Sequence, residues 1–333
     1  MMMWTKEKAN EWYNKLPWLV GCNFIPSSAV NQLEMWQEET FDPETIRREL
    51  GWAADIGFNT VRVFLHDLAW LADAQGFRDR VSSYLDIAAG CGISTMFVFF
   101  DDCWNTNPKI GKQPDPRPGI HNSMWVQSPG KKIVKNNAAW QRLEDYIRDV
   151  IGAFATDERV LAWDVYNEPG NTGMGERSLG LLGSAFKWAR EAGPSQPLTA
   201  GVWANKKELK KLIEFQTAGS DIITFHNYND IEDLKEQIKN LKAYGRPVVC
   251  TEYMARVLNS RFGTHMPVFK QERVGCYSWG LVAGRTQTNC PWRQLLLVMR
   301  SKLWFHDIFY KDGTPYDAGE VEMIKKQTID HRP

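Results

Sequence analysis

Eight short apolar runs, each followed by a stretch of helical length, constrain this chain more than any other feature of its sequence. The runs are Leu19–Phe24, Thr60–His66, Ser94–Asp101, Val160–Glu168, Leu198–Trp203, Asp221–Tyr228, Pro247–Met254 and Cys276–Leu281. They are rich in Val, Ile and Phe and nearly continuous in hydrophobicity, which is the pattern of strands covered on both faces, as in a parallel sheet. The segments between them read as helices. Asp42-Pro43 supplies a cap and a first-turn proline, Ile46, Leu50, Ala53 and Ile56 recur at helical spacing, and Gly57 closes the helix. A second stripe, Ile231, Leu234, Ile238 and Leu241, stops at Gly245 and Pro247, and a third helix is predicted over about Asn137–Thr156. Strand–helix units repeated eight times predict a (β/α)8 barrel taking up residues 1–333 as one domain. An open doubly wound sheet would want a glycine-rich phosphate turn after its first strand, and Gly21-Cys22-Asn23-Phe24 is not one.

Composition narrows the partners. Lys plus Arg number 40 and Asp plus Glu number 40, so the bulk attraction that drives binding to nucleic acid or anionic membranes is missing. A 43% hydrophobic and 24% charged chain is ordinary for a globular protein and wrong for disorder. No run approaches the roughly 18 apolar residues of a membrane span. Met1 to Val20 contains Lys6, Glu7, Lys8, Glu11 and Lys15, which is not the pattern of a signal peptide, so a cytoplasmic location is expected. The cysteines at 22, 91, 103, 250, 276 and 290 show no close pairing and read as reduced thiols. With six His and no His-x-His ending the first strand, clustered metal ligands are not visible, and neither a metal nor a cofactor is expected. The sequence leaves the oligomeric state open.

In a barrel of this kind, functional residues lie at the C-terminal ends of the strands and in the loops just beyond. Glu34 and Trp36 follow the first strand. Arg62, Phe64 and His66 share one face of the second. Asp101-Asp102-Cys103-Trp104 ends the third, Asn167-Glu168-Pro169 the fourth and Trp203 the fifth. His226 and Tyr228 lie on the sixth, Glu252 on the seventh and Trp279 on the eighth. Glu168 and Glu252 each interrupt a run that otherwise wants burial, and a buried carboxylate is costly unless it is paired. Strands four and seven put them opposite each other across the barrel mouth. Two such carboxyls are the working parts of glycoside hydrolysis: one protonates the leaving oxygen, and the other attacks the anomeric carbon or activates water. Arg62 would keep a carboxylate ionised, Tyr228 could donate to it, His226 could orient Glu168, and Asn167 could bind a sugar hydroxyl. Taken singly, Glu252 with Arg62 is also what a structural ion pair looks like, and His226 and Trp279 also suit a core.

The residues Asn59-Thr60-Val61-Arg62-Val63, Trp163-Asp164-Val165-Tyr166-Asn167-Glu168-Pro169, Phe225-His226-Asn227-Tyr228, Val249-Cys250-Thr251-Glu252-Tyr253 and Tyr277-Ser278-Trp279-Gly280 act as a set. On them the chain resembles the retaining (β/α)8 glycoside hydrolases of clan A, most closely cellulase and mannanase relatives of the family 5 type. The resemblance implies Glu168 as acid/base and Glu252 as nucleophile. It also implies double displacement through a glycosyl-enzyme, with the carboxyls about 5–5.5 Å apart. The chain departs from many family 5 enzymes at the end of the third strand, where they carry a histidine and it has Asp101-Asp102. These two acids would bind hydroxyls in a subsite or cap the following loop.

That loop, about Asp102 to Asn136, is long and holds Trp104, Lys109, Lys112, His121, Trp125, Lys131 and Lys132. Long loops in compact domains are usually functional or disordered. It is expected to wall the sugar site, narrowing it toward short oligosaccharides or exo action. Fifteen tryptophans divide accordingly. Trp52, Trp140 and Trp188 fall on predicted helices, whereas Trp36, Trp104, Trp125, Trp203 and Trp279 fall near strand ends, where an indole can stack on a sugar. The expected partner is a neutral β-linked saccharide, a glucan, mannan or similar. A non-catalytic carbohydrate-binding barrel and a transglycosylase with the same site are the alternatives. Trp304–Pro333 is expected to complete the last helix and pack on the barrel.

Overall fold

A computed structural model describes residues 2–204, 206–292, 295 and 303–329. The strands are β1 (Val20–Asn23), β2 (Thr60–Phe64), β3 (Ser94–Asp101), β4 (Val160–Asn167), β5 (Leu198–Thr199), β6 (Ile223–His226), β7 (Val248–Tyr253) and β8 (Gly275–Trp279). They form one parallel sheet in the order β5-β4-β3-β2-β1-β8-β7-β6. A parallel bridge between Val202 and Phe225 joins β5 to β6 and closes the barrel. The expected eight-unit barrel is therefore the fold. β5 is shorter than its apolar run because the chain leaves the ladder at Ala200, whose N–H goes to the Ser220 hydroxyl, and pairs again at Val202.

The helices start where the sequence places caps. Asp42 accepts from the Thr45 N–H ahead of the helix Pro43–Asp55, and Asp230 caps Ile231–Lys242. The helix expected from Asn137 begins at Gln141, after a 3-10 turn over Asn137–Ala139. Trp140 makes that joint, its indole N–H reaching the Ile133 carbonyl at 2.9 Å. The last helix, Ala318–Thr328, buries Val321 and Ile324, and the Thr328 hydroxyl reaches the Ile56 carbonyl. Residues 330–333 of the expected C-terminal segment lie outside the described residues. All six cysteines are free, with Cys250 and Cys276 buried in β7 and β8. No helix among the described residues is long and apolar enough to cross a membrane.

The barrel interior is graded in polarity. Its lower end is apolar: Met96, Ala162, Ile222, Val249 and Tyr277 pack together, and the N-terminal helix Lys6–Asn14 lays Trp12 and Tyr13 against them as a plug. Above this layer Asn23, Arg62 and Asp164 are enclosed, and the top is ringed by Phe64, Val98, Trp125 and Trp279. The charged layer is thus held between two apolar ones.

Close strand packing needs a glycine at one point. A Cβ at Gly21 in β1 would stand 1.7 Å from the Thr60 carbonyl oxygen, whereas one at Gly51, in the helix Pro43–Asp55, would meet nothing within 4 Å. Gly21→Ala should lose more than about 4 kcal/mol of stability, as backbone clashes in a core do. Gly51→Ala should be neutral or gain up to about 1 kcal/mol. Chemical denaturation of the two variants measures the contrast.

Candidate active site

Arg62 is wholly buried beneath the mouth, and its guanidinium is surrounded by acceptors. Nε and Nη2 bind Asp164 Oδ2 at 3.1 and 2.7 Å, Nη2 binds Asn167 Oδ1 at 2.7 Å, and Nη1 binds Asn23 Oδ1 at 2.9 Å and Glu252 Oε1 at 3.0 Å. Asn23 is fixed in turn by donating to the Thr251 and Ser278 carbonyls. The face of the Phe64 ring lies 4.8 Å from the guanidinium carbon. Asp164 supplies the double contact that a structural ion pair needs. Glu252 is a second carboxyl partner of the same guanidinium.

Glu252 projects from β7 where the ladder is irregular on both sides, with register shifts against β6 and β8. Such bulges re-aim a side chain. Its Oε2 accepts from the Tyr228 hydroxyl at 2.9 Å, and His226 Nδ1 is 3.5 Å away. Glu168 follows the last residue of β4 with φ of +44°, a left-handed conformation that turns its side chain into the mouth. Its Oε1 lies 2.8 Å from His226 Nδ1, and its Oε2 accepts from the Cys103 thiol at 3.1 Å and from the Asn171 amide. One oxygen of each glutamate and the His226 nitrogen all lie within 4.8 Å of one another. The Glu168 and Glu252 side chains keep 14% and 7% exposure, so solvent still reaches them.

Three ligand atoms this close could share a cation. Arg62 and Tyr228 already donate to both oxygens of Glu252, and Cys103 and Asn171 donate to Oε2 of Glu168. Three of the four carboxyl oxygens thus already accept hydrogen bonds from the protein.

Burial lifts both glutamates above the usual carboxylate range, and the neighbouring Glu168 further opposes ionisation of Glu252. Donors that favour ionisation stand at both carboxyls: Arg62 and Tyr228 bond Glu252, and Cys103 and Asn171 bond Glu168. Burial pushes His226 down to about 4, leaving it neutral between them.

The other expected site residues divide by contact. Asn167 bridges Arg62 and Asp101, donating to Asp101 Oδ1 at 2.9 Å. Asp101 also accepts from the Cys103 N–H and the Trp125 indole, and burial raises it to about 6. Both act beneath the mouth as a frame. Trp279 stands at the mouth, edge-on to Phe64 and Trp125 at 5.7 Å each. Trp104, half-buried, stacks on His121, and Trp203, half-buried, anchors its indole N–H on the Pro169 carbonyl, beside Glu168.

Three expectations need correction. Trp36 is not at the mouth: the segment after β1 folds into a short helix, Gln32–Trp36, and the indole is enclosed by Phe41, Phe77 and Tyr84. His66 does not continue the inward face of Arg62, because β2 ends at Phe64. The ring is fully buried, accepting from the Leu68 N–H as a helix cap and bonding the Gln127 carbonyl. Asp102 is also enclosed. It accepts from Tyr166 and the Gly170 N–H at 2.8 Å and from Ser178, so it caps the loop after β4. Burial raises its pKa to about 7.

Sequence reasoning missed Asn23, Asp164, Cys103 and Asn171. Asn23 and Asp164 carried a signal, since each is a polar residue inside a buried strand run. Cys103 and Asn171 are placed by loop geometry alone. The long loop after β3 folds back against the barrel mouth. It pairs with β3 through Asp101 and Ser128 and inserts Trp125 over Phe64. It is also tied to the loop after β8 by Asn122–Thr286, Gly119–Gln287 and His121–Cys290 hydrogen bonds.

No protein-family model matches the chain, and no curated protein matches it in sequence. Solved structures do match its fold. A GH5_18 variant of Streptomyces cattleya in complex with Manβ1-4GlcNAc is 14% identical, with a TM-score of 0.61 over 95% of this chain and 82% of that one. The endo-1,4-β-D-mannanase of Thermotoga petrophila RKU-1 is 14% identical, with a TM-score of 0.60 over 93% and 99%. The exo-β-1,4-mannosidase Op5Man5 of Opitutaceae bacterium strain TAV5 is 17% identical, with a TM-score of 0.60 over 93% of this chain and 59% of that one. At such identities the likeness establishes the barrel.

The Tyr228 hydroxyl favours the ionised form of Glu252, so Tyr228→Phe should raise the Glu252 pKa. Activity that requires the carboxylate is then lost from the acid side. The acidic limb of the kcat/KM profile should move up by about one pH unit, the worth of one charge-assisted hydrogen bond.

Proposed function

We propose that the chain is a retaining glycoside hydrolase acting on β-mannosidic or closely related β-linked saccharides. The observation that carries the reading is the pair on β4 and β7: oxygens of two carboxyls within 4.8 Å, with unequal hydrogen-bond partners. That closeness suits the roughly 5–5.5 Å carboxyl spacing of retaining enzymes, and an inverting pair stands about 6.5–9.5 Å apart to admit a water.

Glu252, ionised by Arg62 and Tyr228, attacks the anomeric carbon. Glu168 gives its proton to the departing glycosidic oxygen, and a glycosyl-enzyme ester forms on Glu252. Glu168, now a carboxylate, takes a proton from water as that water attacks the same carbon, releasing the sugar with its original configuration and restoring both groups. His226 stays neutral and steers Glu168 through both steps. Trp279 offers the sugar an apolar face, and Trp203, beside Glu168, borders the leaving group. The substrate class is supported by the mannose-active fold neighbours, and the neutral overall charge suits an uncharged sugar.

The joined loops after β3 and β8 close one side of the mouth. This favours short oligosaccharides or exo action over mid-chain cleavage. Mid-length products from a long mannan would count against it.

Glu168→Ala and Glu252→Ala should each lower turnover of aryl β-mannosides by more than a thousandfold while the fold persists. Azide should restore Glu252→Ala with an α-glycosyl azide as product, and Glu168→Ala with a β-glycosyl azide. Proton NMR of the first-formed sugar from the unmodified protein should show retention. Inversion, or activity surviving Glu252→Ala without azide, would overturn the mechanism.

A further inference from the structure

We infer that Asn171 and Cys103 are positioning residues, a two-donor clamp on Oε2 of Glu168 that leaves Oε1 as the oxygen carrying the reacting proton. The inference rests on the reading of Glu168 as the acid/base.

Both side chains meet the same oxygen. The Cys103 thiol lies 3.1 Å from Glu168 Oε2, and the Asn171 amide donates to that oxygen and, at 3.4 Å, to the sulfur. The Asn167 amide approaches the sulfur from its other side at 3.5 Å. Sulfur thus accepts from two amides while its own hydrogen points to the carboxyl. Burial and the nearby Asp101 and Glu168 carboxyls keep this thiol protonated, so it acts as a neutral donor. An oxygen already receiving two hydrogen bonds serves as the carbonyl oxygen of a protonated carboxyl. The proton is left to Oε1, whose neighbour is His226 Nδ1 at 2.8 Å.

The backbone is bent to make this contact. Glu168, Gly170, Thr172, Gly173 and Gly175 all have positive φ, and the Asn171 N–H closes a turn on the Glu168 carbonyl at 3.0 Å. The Gly170 N–H is tied to Asp102. Left-handed conformations at non-glycine residues such as Glu168 and Thr172 persist only where the surroundings hold them. Here they fold a half-exposed asparagine back onto the carboxyl three residues before it. Asp102 and Ser178 anchor the base of the same loop, which gives the enclosed acid at the end of β3 a use.

The test uses the full chain carrying Asn171→Ala, Cys103→Ala or Cys103→Ser. The ionisation of Glu168 is followed directly by NMR of 13C-carboxyl glutamate, with the signal assigned through Glu168→Gln. Hydrolysis of aryl β-mannosides is measured across a series of leaving groups. Donors to a carboxylate lower its pKa, so Asn171→Ala and Cys103→Ala should each raise the Glu168 midpoint by about one pH unit. They should lower kcat/KM about tenfold for a poor leaving group and little for dinitrophenol, which departs without a proton. Cys103→Ser, which keeps a donor, should stay near the unmodified protein and covers the case in which the alanine variant fails to fold. A Glu168 midpoint unmoved in all three variants overturns the inference, as does a loss equal across the leaving groups. A shifted midpoint in a protein inert toward every aryl β-glycoside would sustain the clamp and remove the hydrolase reading instead.

Discussion

A fully buried guanidinium in the middle of the barrel is the constraint on which the rest of the site depends. Taking such an ion out of water costs several kcal/mol even after relaxation, and only well-placed acceptors offset it. Arg62 finds them on β1, β4 and β7, in Asn23, Asp164, Asn167 and Glu252. Phe64 covers one face and keeps water away. The group that knits three strands together is therefore the same group that bonds the Glu252 carboxyl at the mouth. Fold stability and chemical readiness are set by one network, and perturbing a member would disturb both.

Much of this was legible in the sequence because a barrel strand has a fixed parity. Once Thr60–Phe64 and Val160–Asn167 are strands, Arg62 and Asp164 must point inward. The same logic aims His226 and Trp279 inward, whereas Glu252, three residues past the inward Val249, is turned in by the irregular ladder on both its sides. Parity fails where the strand stops. Counting two residues past Phe64 aims His66 inward, but the ladder ends first and the ring caps a helix. Trp36 reads as a loop residue beyond the first strand, but Asn31 caps a short helix there and turns the indole into the core. Asn171 left no trace in the sequence. It reaches Glu168 only because a run of left-handed residues folds the chain back on itself, and nothing in the pattern of apolar residues encodes that path.

The grading of the barrel interior gathers the polar groups at one end. The helix Lys6–Asn14 and the layer around Met96, Val249 and Tyr277 seal the bottom with apolar surface. Polar groups then accumulate only above Arg62, where the loops can satisfy them. Trp125, Phe64 and Trp279 meet edge to face over this layer, an arrangement favoured by the ring quadrupoles. They lower the local dielectric around the carboxyls, which strengthens each hydrogen bond they make.

The ties between the loops after β3 and β8 carry a consequence for how such a barrel could diversify. Gln287 alone bonds backbone groups at Arg117 and Gly119, and Arg285 pairs with both Glu34 and Asp115. Neither loop is an independent variable. Shortening or opening one would strand donors and acceptors on the other, so a change in the length of sugar accommodated must pass through paired alterations in two distant stretches of sequence. A descendant of this barrel would shed the two loops together or hardly at all.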